Sequence, residues 1–227
     1  MNPEELREQI ESELAWRQEE LSFIKNQLNY VADMKKDQFR KTLVLMLYAH
    51  FEGFSKIALQ TYLQYINNMN LNICDVNSTL QAAALKREFS AYDTGDKKNE
   101  FFKKPLPNDV FLHKLSRRVE LIERIEDFKR QRFFLDDDII DTESNLRYIV
   151  LQKNLYFCGL PIDLFDEQKN YIDSLVNRRN SIAHGDCKSG VDEKEYMKWE
   201  EQTYTVMNTI VRILYEYVCK AKFIIPR

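Results

Sequence analysis

The chain has 227 residues, of which 44% are hydrophobic, so it can bury a substantial core. It contains only five glycines and five prolines, which disfavours an all-β or loop-rich fold. The formal charge of −3 excludes a surface that attracts nucleic acid as a whole. Any contact with nucleic acid must therefore come from a local basic site.

The sequence also bears on the compartment of the protein. No apolar run approaches the roughly 18 residues of a membrane span, and the N-terminus lacks the basic and apolar regions of a signal peptide. The four cysteines, at positions 74, 158, 187 and 219, show neither metal-site spacing nor a paired pattern, which suits reduced thiols. We therefore expect a cytoplasmic protein that makes no contact with a membrane.

Apolar residues recur at three- and four-residue steps along most of the chain, and no stretch alternates with the period of a strand. This pattern predicts helices at about 4–34, 38–67, 78–92, 110–133, 144–157, 166–185 and 193–222. We predict an all-α fold in which four long helices pack as a bundle. A single domain would span 1–227, with core helices at about 4–67 and 166–222 and a helical insertion at about 70–160.

Several local features follow from the same pattern. Ser78 is a plausible N-cap, and the polar, proline-containing stretch 93–109 predicts a loop. His50 lies on an apolar helix face, which favours a buried core histidine over a catalyst, whereas His113 is expected on the surface. The residues expected to face inward include Leu14, Leu21, Leu28, Trp16, Phe23 and Tyr30 in the first helix, and Leu112, Leu115, Val119, Ile122 and Phe128 in the helix at 110–133.

One arginine lies on an otherwise apolar stripe near residue 180. Arg179 shares this stripe with Leu175 and Ile182, although a charge there is costly unless a partner receives it. His184 ends the same helix, just before Gly185, which can adopt a left-handed cap. Five residues advance an ideal helix by about 500°, so the Arg179 and His184 side chains leave the axis about 140° apart.

The two side chains can converge in three ways. The last helical turn can unwind at Gly185, Arg179 can reach round the helix, or a site can combine residues from two subunits. Alternatively, Arg179 simply pairs with a buried carboxylate, for instance Glu52 or Asp173. Glu52 is also placed to form a helix-surface ion pair with Lys56, four residues later.

The segment Arg179-Asn180-Ser-Ile-Ala-His184-Gly resembles the R-x(4–6)-H motif of the HEPN superfamily. In that motif the arginine is usually followed by Asn, Asp or His, and four residues separate Arg179 from His184 here. Three further stretches resemble the MAE-like branch of the superfamily, namely Leu14–Leu21, Tyr48–Lys56 and Asp141–Leu146. The resemblance therefore extends over nearly the whole chain.

This resemblance implies a HEPN-type four-helix core with an additional long N-terminal helix, often dimeric, with the arginine and histidine at a composite site. Such sites commonly cleave RNA without metal, and many members are toxins or abortive-infection effectors. Other members are catalytically silent and bind a partner protein. In one branch a nucleotidyltransferase modifies a tyrosine two positions after the histidine, but Asp186 occupies that position here.

The implied chemistry suits these residue types. RNA carries its own nucleophile, the 2′-hydroxyl, and histidine, with an ordinary pKa of about 6.5, can act as base or acid. Arginine offers a planar fork that fits two phosphate oxygens. We therefore assign acid–base work to His184, phosphate stabilisation to Arg179 and their positioning to Asn180.

Weaker site assignments complete the prediction. Arg178 is a secondary phosphate contact, Glu52 a candidate for orienting Arg179, and Lys56 a polar neighbour of Glu52 at the substrate cleft. No metal and no cofactor is required by this chemistry. The expected partners are an RNA substrate, a second copy of the chain, and an antitoxin or defence-system protein. The alternative is a non-catalytic helical module that binds a partner protein.

Overall fold

The computed structural model describes residues 1–93, 98–105 and 108–226, apart from the side chains at 91 and 93. Regular structure in this part of the chain consists of eight α-helices and short 3₁₀ turns, without a β-strand. The helices are α1 (Pro3–Asn26), α2 (Asp33–Asn67), α3 (Ser78–Ala84), α4 (Lys86–Asp93), α5 (Val110–Lys129), α6 (Tyr148–Phe157), α7 (Lys169–Ala183) and α8 (Glu193–Cys219). The predicted all-α fold is confirmed. No described helix is long and apolar enough to cross a membrane.

Helix α2 lies at the centre of the bundle, where it contacts α1, α7 and α8. The residues predicted to face inward from α2 are buried, namely Leu43, Leu47, Phe51, Phe54, Ala58 and Tyr65. Leu21 of α1 and Trp199 of α8 share a buried cluster with Leu43. Because Leu21 comes late in α1 and Trp199 early in α8, α1 runs antiparallel to α2 and α8 runs parallel to it.

The segment between α2 and α7 carries α3 to α6 and covers the C-terminal half of α2. Asn67, the last residue of α2, joins the two parts. Its side-chain amide donates to the Leu135 carbonyl at 2.8 Å, and its Oδ1 accepts from the Leu135 amide at 3.0 Å. Since Leu135 directly precedes the loop that reaches α7, this buried pair of hydrogen bonds fixes where that loop begins.

The first two helices differ from their predicted bounds. Helix α1 ends at Asn26 and a 3₁₀ turn follows to Tyr30, because the extended backbone of Ala32 (ψ 139°) interrupts the helical path before α2 begins at Asp33. The leucine repeat of α1 faces the bundle, but the aromatic repeat does not. Trp16, Phe23 and Tyr30 are 45%, 65% and 87% exposed. Their predicted burial is therefore wrong, because the neighbouring helices contact α1 on the leucine side.

Several later helices also begin or end at residues other than those predicted. Asn77, not Ser78, caps α3, and the helix predicted at 78–92 divides at Leu85 into α3 and α4. Helix α6 begins at Tyr148 instead of about 144, because Glu143 and Ser144 have left-handed backbones, with φ of 52° and 58°. The last helix, α8, ends at Cys219 instead of about residue 222. Of the predicted loop at 93–109, residues 94–97 and 106–107 lie outside the described residues.

Helix α5 packs against the rest of the protein with the face opposite to the one predicted. Leu115, Val119 and Ile122 are 45%, 46% and 72% exposed, whereas His113, expected on the surface, is only 2% exposed. The side of α5 that carries His113 packs towards α4 and the 3₁₀ turn after α2. The predicted burial of these apolar residues is therefore wrong. Phe128, near the end of α5, is buried as predicted.

We expect Asn67→Ala to lower the free energy of unfolding by about 2–4 kcal/mol, because it leaves the buried amide and carbonyl of Leu135 without partners. Urea denaturation followed by circular dichroism would measure the loss. Asn68→Ala, at the neighbouring exposed position, is the matched control and should change the value by less than about 1 kcal/mol. Equal losses in the two variants would contradict this role of Asn67.

Candidate active site

The C-terminus of α7 is fixed by backbone hydrogen bonds that place His184. The Asp186 amide donates to the Ser181 carbonyl at 2.9 Å, and the Gly185 amide donates to the Ile182 carbonyl at 3.1 Å. Gly185 has a φ of 79°, the left-handed conformation predicted for it. This pair of bonds is the Schellman motif. His184 is the capping residue itself, and its side chain is exposed.

One face of α7 is bound along its length by the segment just before and at the start of α6. Asp173 Oδ1 accepts from the Tyr148 amide at 3.0 Å, Asn177 Oδ1 from Arg147 Nη2 at 2.8 Å, and Asn180 Nδ2 donates to Asn145 Oδ1 at 2.8 Å. His184 is the next residue on this face. Within the described residues, its imidazole makes no hydrogen bond and no ion pair. The face therefore ends in a histidine that is open to solvent.

Arg179 turns towards α2 and the same segment. Its Nη2 donates to the Ser144 carbonyl at 2.9 Å, and its guanidinium carbon lies 4.0 Å from the centre of the Tyr48 ring. The Glu52 carboxylate lies 3.9 Å from Nη2, and these two side chains are 21% and 22% exposed. A carbonyl, an aromatic face and a carboxylate thus compensate the charge on the apolar stripe.

The three guanidinium nitrogens of Arg179 have different surroundings. Nη2 is engaged as described, and Nε is buried without a hydrogen-bond partner among the described residues. Nη1 is not among the buried nitrogens that lack a partner, and it takes no part in the bond to Ser144. Nη1 can therefore donate to a bound anion without releasing that contact.

Tyr48 connects α2 to the segment that holds Arg179. Its hydroxyl accepts a hydrogen bond from the buried Leu146 amide at 2.7 Å, while its ring lies under the Arg179 guanidinium. Burial raises the pKa of Tyr48 above its ordinary value, so the side chain stays neutral. One tyrosine therefore supports both the arginine and the two left-handed residues, Glu143 and Ser144, that bring the segment to α7.

Arg179 and His184 do not converge within one copy of the chain. The His184 amide donates to the Asn180 carbonyl at 2.9 Å, so the last turn is regular and the two side chains leave the axis about 140° apart. Unwinding at Gly185 is thereby excluded. Arg179 does not reach round the helix either, since its guanidinium lies over Tyr48. The expected pairing with Glu52 is present at 3.9 Å, whereas Asp173 binds the Tyr148 amide instead.

The side chains of the other two predicted site residues, Arg178 and Lys56, form no hydrogen bond with Arg179 or His184 among the described residues. Arg178 points away from Arg179 and donates to the Gly190 carbonyl at 2.8 Å, with Glu195 3.6 Å away. It therefore holds the turn that leads from α7 to α8. Lys56 is exposed one turn beyond Glu52, and the ion pair predicted between them is not formed among the described residues, because Glu52 lies against Arg179.

Comparison with known families decides the relationship that the motifs suggested. The family model for MAE_28990-like HEPN proteins matches residues 6–223. The chain belongs to this HEPN family. Comparison with curated proteins and with solved structures gave no match.

The residues of the HEPN motif are only one part of the group of side chains around Arg179. Two of the stretches that resemble the family, Tyr48–Lys56 and Asp141–Leu146, both contact Arg179. Sequence reasoning did not identify Tyr48, Asn145 or Arg147 as members of the site. The resemblance of the first two stretches was the available signal, but a family likeness does not reveal which atoms touch.

The remaining family-like stretch, Leu14–Leu21, lies against another side of α2 of the HEPN bundle. Arg17 is 4% exposed and fills the space that a side chain at Gly53 would occupy, 3.3 Å from that Cβ position. His50 is buried beside it, with its Nε2 3.2 Å from Glu20 Oε2, as expected of a core histidine. Burial lowers the pKa of His50, which favours the neutral imidazole. His50 therefore has a structural place between α1 and α2.

We expect Tyr48→Phe to destabilise this HEPN protein by about 1–3 kcal/mol, because the buried Leu146 amide loses its acceptor while the ring under Arg179 remains. Equilibrium unfolding in urea would give the value. Tyr156→Phe is the matched control, since the Tyr156 side chain is 56% exposed. If both substitutions cost the same, the Tyr48 hydroxyl does not hold the segment at 144–146.

Proposed function

We propose that this protein is a metal-independent endoribonuclease of the HEPN type, built as a single domain over residues 1–227. We further propose that it acts as a toxin or abortive-infection effector in defence. The observation that carries the proposal is the convergence of separate family-like stretches on Arg179 and Asn180, beside a solvent-exposed His184. The exposed imidazole of His184, which has no partner among the described residues, is the part of this arrangement that packing alone does not require.

The residues support cleavage by transesterification. A base removes the proton from the 2′-hydroxyl, the 2′-oxygen attacks the adjacent phosphorus, and the bond to the 5′-oxygen breaks as an acid protonates that oxygen. The products carry a 2′,3′-cyclic phosphate and a 5′-hydroxyl. His184 serves as base or acid, and Arg179 stabilises the negative charge on the phosphate through its Nη1.

Two copies of the chain complete the site in this proposal. Because Arg179 and His184 diverge within one helix, a single copy offers a phosphodiester only part of the machinery. A two-fold axis near the exposed end of α7 brings two His184 side chains to one scissile bond, so that one acts as base and the other as acid. Asn180, held by Asn145, then fixes the phosphate between them.

The outer residues have lesser roles in the proposal. Glu52 and Tyr48 hold the Arg179 guanidinium in place, so they are positioning residues. Lys56, exposed one turn along α2, meets the RNA backbone beside the cleft. Arg178 remains a secondary phosphate contact in the proposal. To bind RNA, its guanidinium would leave the Gly190 carbonyl, so RNA binding would release the turn before α8. The proposed partners are RNA, a second copy and an antitoxin or defence-system protein.

A non-catalytic module that binds a partner protein is the second candidate function. The contacts of Arg179 favour it, because a carbonyl, a ring and a carboxylate around one guanidinium also suit a purely structural residue. Under this candidate the purified protein leaves a mixed RNA pool intact and captures one specific protein. RNA cleavage that depends on His184 would exclude it.

We expect His184→Ala to reduce RNA cleavage by about 10²- to 10⁴-fold, because a general acid–base group is lost. The fold and the oligomeric state should be unchanged, since the imidazole makes no hydrogen bond among the described residues. Cleavage of a mixed RNA pool in the presence of EDTA, followed by end mapping, would show cyclic phosphate ends for the wild-type protein.

Asp186→Asn is the control for this experiment, because Asp186 is exposed two residues beyond His184 and has no catalytic role in the proposal. It should retain wild-type cleavage. Full activity of His184→Ala, or loss of wild-type activity in EDTA, would contradict the proposed chemistry.

A further inference from the structure

Helix α5 exposes an apolar stripe on the side opposite its packing face. Phe111, Leu115, Val119 and Ile122 are 76%, 45%, 46% and 72% exposed, and they lie three or four residues apart. The opposite side is buried, with Arg117 only 3% exposed. Single exposed apolar residues need no explanation, but a continuous stripe over three helical turns marks an interaction surface.

The stripe follows a heptad pattern. Val119 occupies an a position, and Leu115 and Ile122 occupy d positions. The half-buried Leu112 occupies the preceding a position, and Phe111 falls at the g position before it. Arg118 then falls at a g position and Glu123 at the following e position. Both charged side chains are exposed, and neither forms an ion pair within the described part of the chain. The stripe is therefore bordered by a cation on one edge and an anion on the other.

We propose that this stripe pairs with the same stripe of a second copy, as two parallel α5 helices. In a parallel pair, a g residue of one helix meets the e residue of the following heptad on the other. Arg118 thus meets Glu123 of the partner subunit, and the two-fold axis repeats this ion pair on the other side. The surface is complementary to itself, which is the requirement of a two-fold interface.

Charge decides the direction of the two helices. In an antiparallel pair, g positions face g positions, so Arg118 would approach Arg118 of the partner subunit. Like charges placed against each other oppose association. The parallel arrangement replaces that repulsion by two attractions and leaves the apolar layers at Leu115, Val119 and Ile122 in register.

This contact is separate from the proposed composite site. Near α5, the Ile73 amide that follows α2 donates to the Gln131 carbonyl at 2.9 Å. The turn after His184 instead reaches the N-terminal part of α2, where Lys41 Nζ donates to the Cys187 carbonyl at 2.6 Å. Helix α5 contacts the 3₁₀ turn that follows the C-terminal end of α2, whereas the turn after His184 contacts the N-terminal part of α2. Failure of the α5 contact would therefore leave the proposed ribonuclease site untouched, and the reverse also holds.

Charge reversal on the full-length chain tests the edge contacts. We expect Arg118→Glu and Glu123→Arg each to raise the dissociation constant of the α5 contact by about tenfold or more, because each puts like charges opposite one another twice. The double variant R118E/E123R should restore association. Lys114→Glu, an exposed charge outside the stripe edges, is the control and should have no effect. Sedimentation velocity over a range of concentrations gives the constants.

A disulfide trap tests the direction and separates this contact from any other self-association. In a chain whose Cys74, Cys187 and Cys219 are replaced by serine, Leu115→Cys should form a disulfide-linked dimer under mild oxidation, because d residues face each other in a parallel pair. Lys114→Cys should remain monomeric on a non-reducing gel. The proposal would be overturned if Leu115→Cys formed no dimer. It would also be overturned if adding R118E to the Leu115→Cys chain did not lower the yield of the disulfide-linked dimer.

Discussion

The arrangement around α7 depends on how a guanidinium is accommodated on an apolar helix face. Arg179 would be costly there if nothing received its charge. The chain supplies the Ser144 carbonyl, the Tyr48 ring and, at 3.9 Å, the Glu52 carboxylate. The first of these requires the left-handed backbone at Ser144, and that turn is kept in place by the hydrogen bond from Leu146 to Tyr48. One arginine thus links α2, α7 and the segment that leads into α6.

The same arrangement explains why His184 is left open. The polar residues of α7 are bound one after another by the segment at 145–148, which extends no further than Asn180. The Schellman motif then holds the backbone of His184 through its neighbours and leaves the imidazole free of partners among the described residues. The structure therefore combines an immobilised arginine with an exposed histidine, and the regular helix between them keeps the two apart. In the proposed enzyme, a second copy unites their chemistry.

Periodicity predicted the all-α fold well, and the inward residues that it predicted for α2 are buried because this central helix is covered on most of its sides. It failed where a helix carries two stripes. In α1 the leucine and aromatic repeats are both apolar, and only contact with other helices decides which is buried. In α5 the apolar stripe faces outward, and the buried side carries His113 and Arg117. Local sequence does not contain the information about which side meets the rest of the bundle.

The candidate site could be predicted only in part, because its tertiary contacts are not contained in the local sequence. The R-x(4–6)-H motif named Arg179, Asn180 and His184, and helix arithmetic anticipated that Arg179 and His184 diverge. The partners of Arg179 depend on a tertiary approach of Ser144, whose left-handed backbone is unusual for a residue other than glycine. The tyrosine that supports this approach lies almost a hundred positions earlier, so no local pattern connects the two.

The central claim is that two copies of His184 act on one scissile bond. A mixed dimer of one wild-type and one His184→Ala chain, isolated with two different affinity tags, tests it most directly. A shared site should lose cleavage by about 10²-fold or more in the mixed dimer, because either the base or the acid is missing. Two independent sites would instead leave the mixed dimer about half as active as the wild-type protein, and that result would contradict the account.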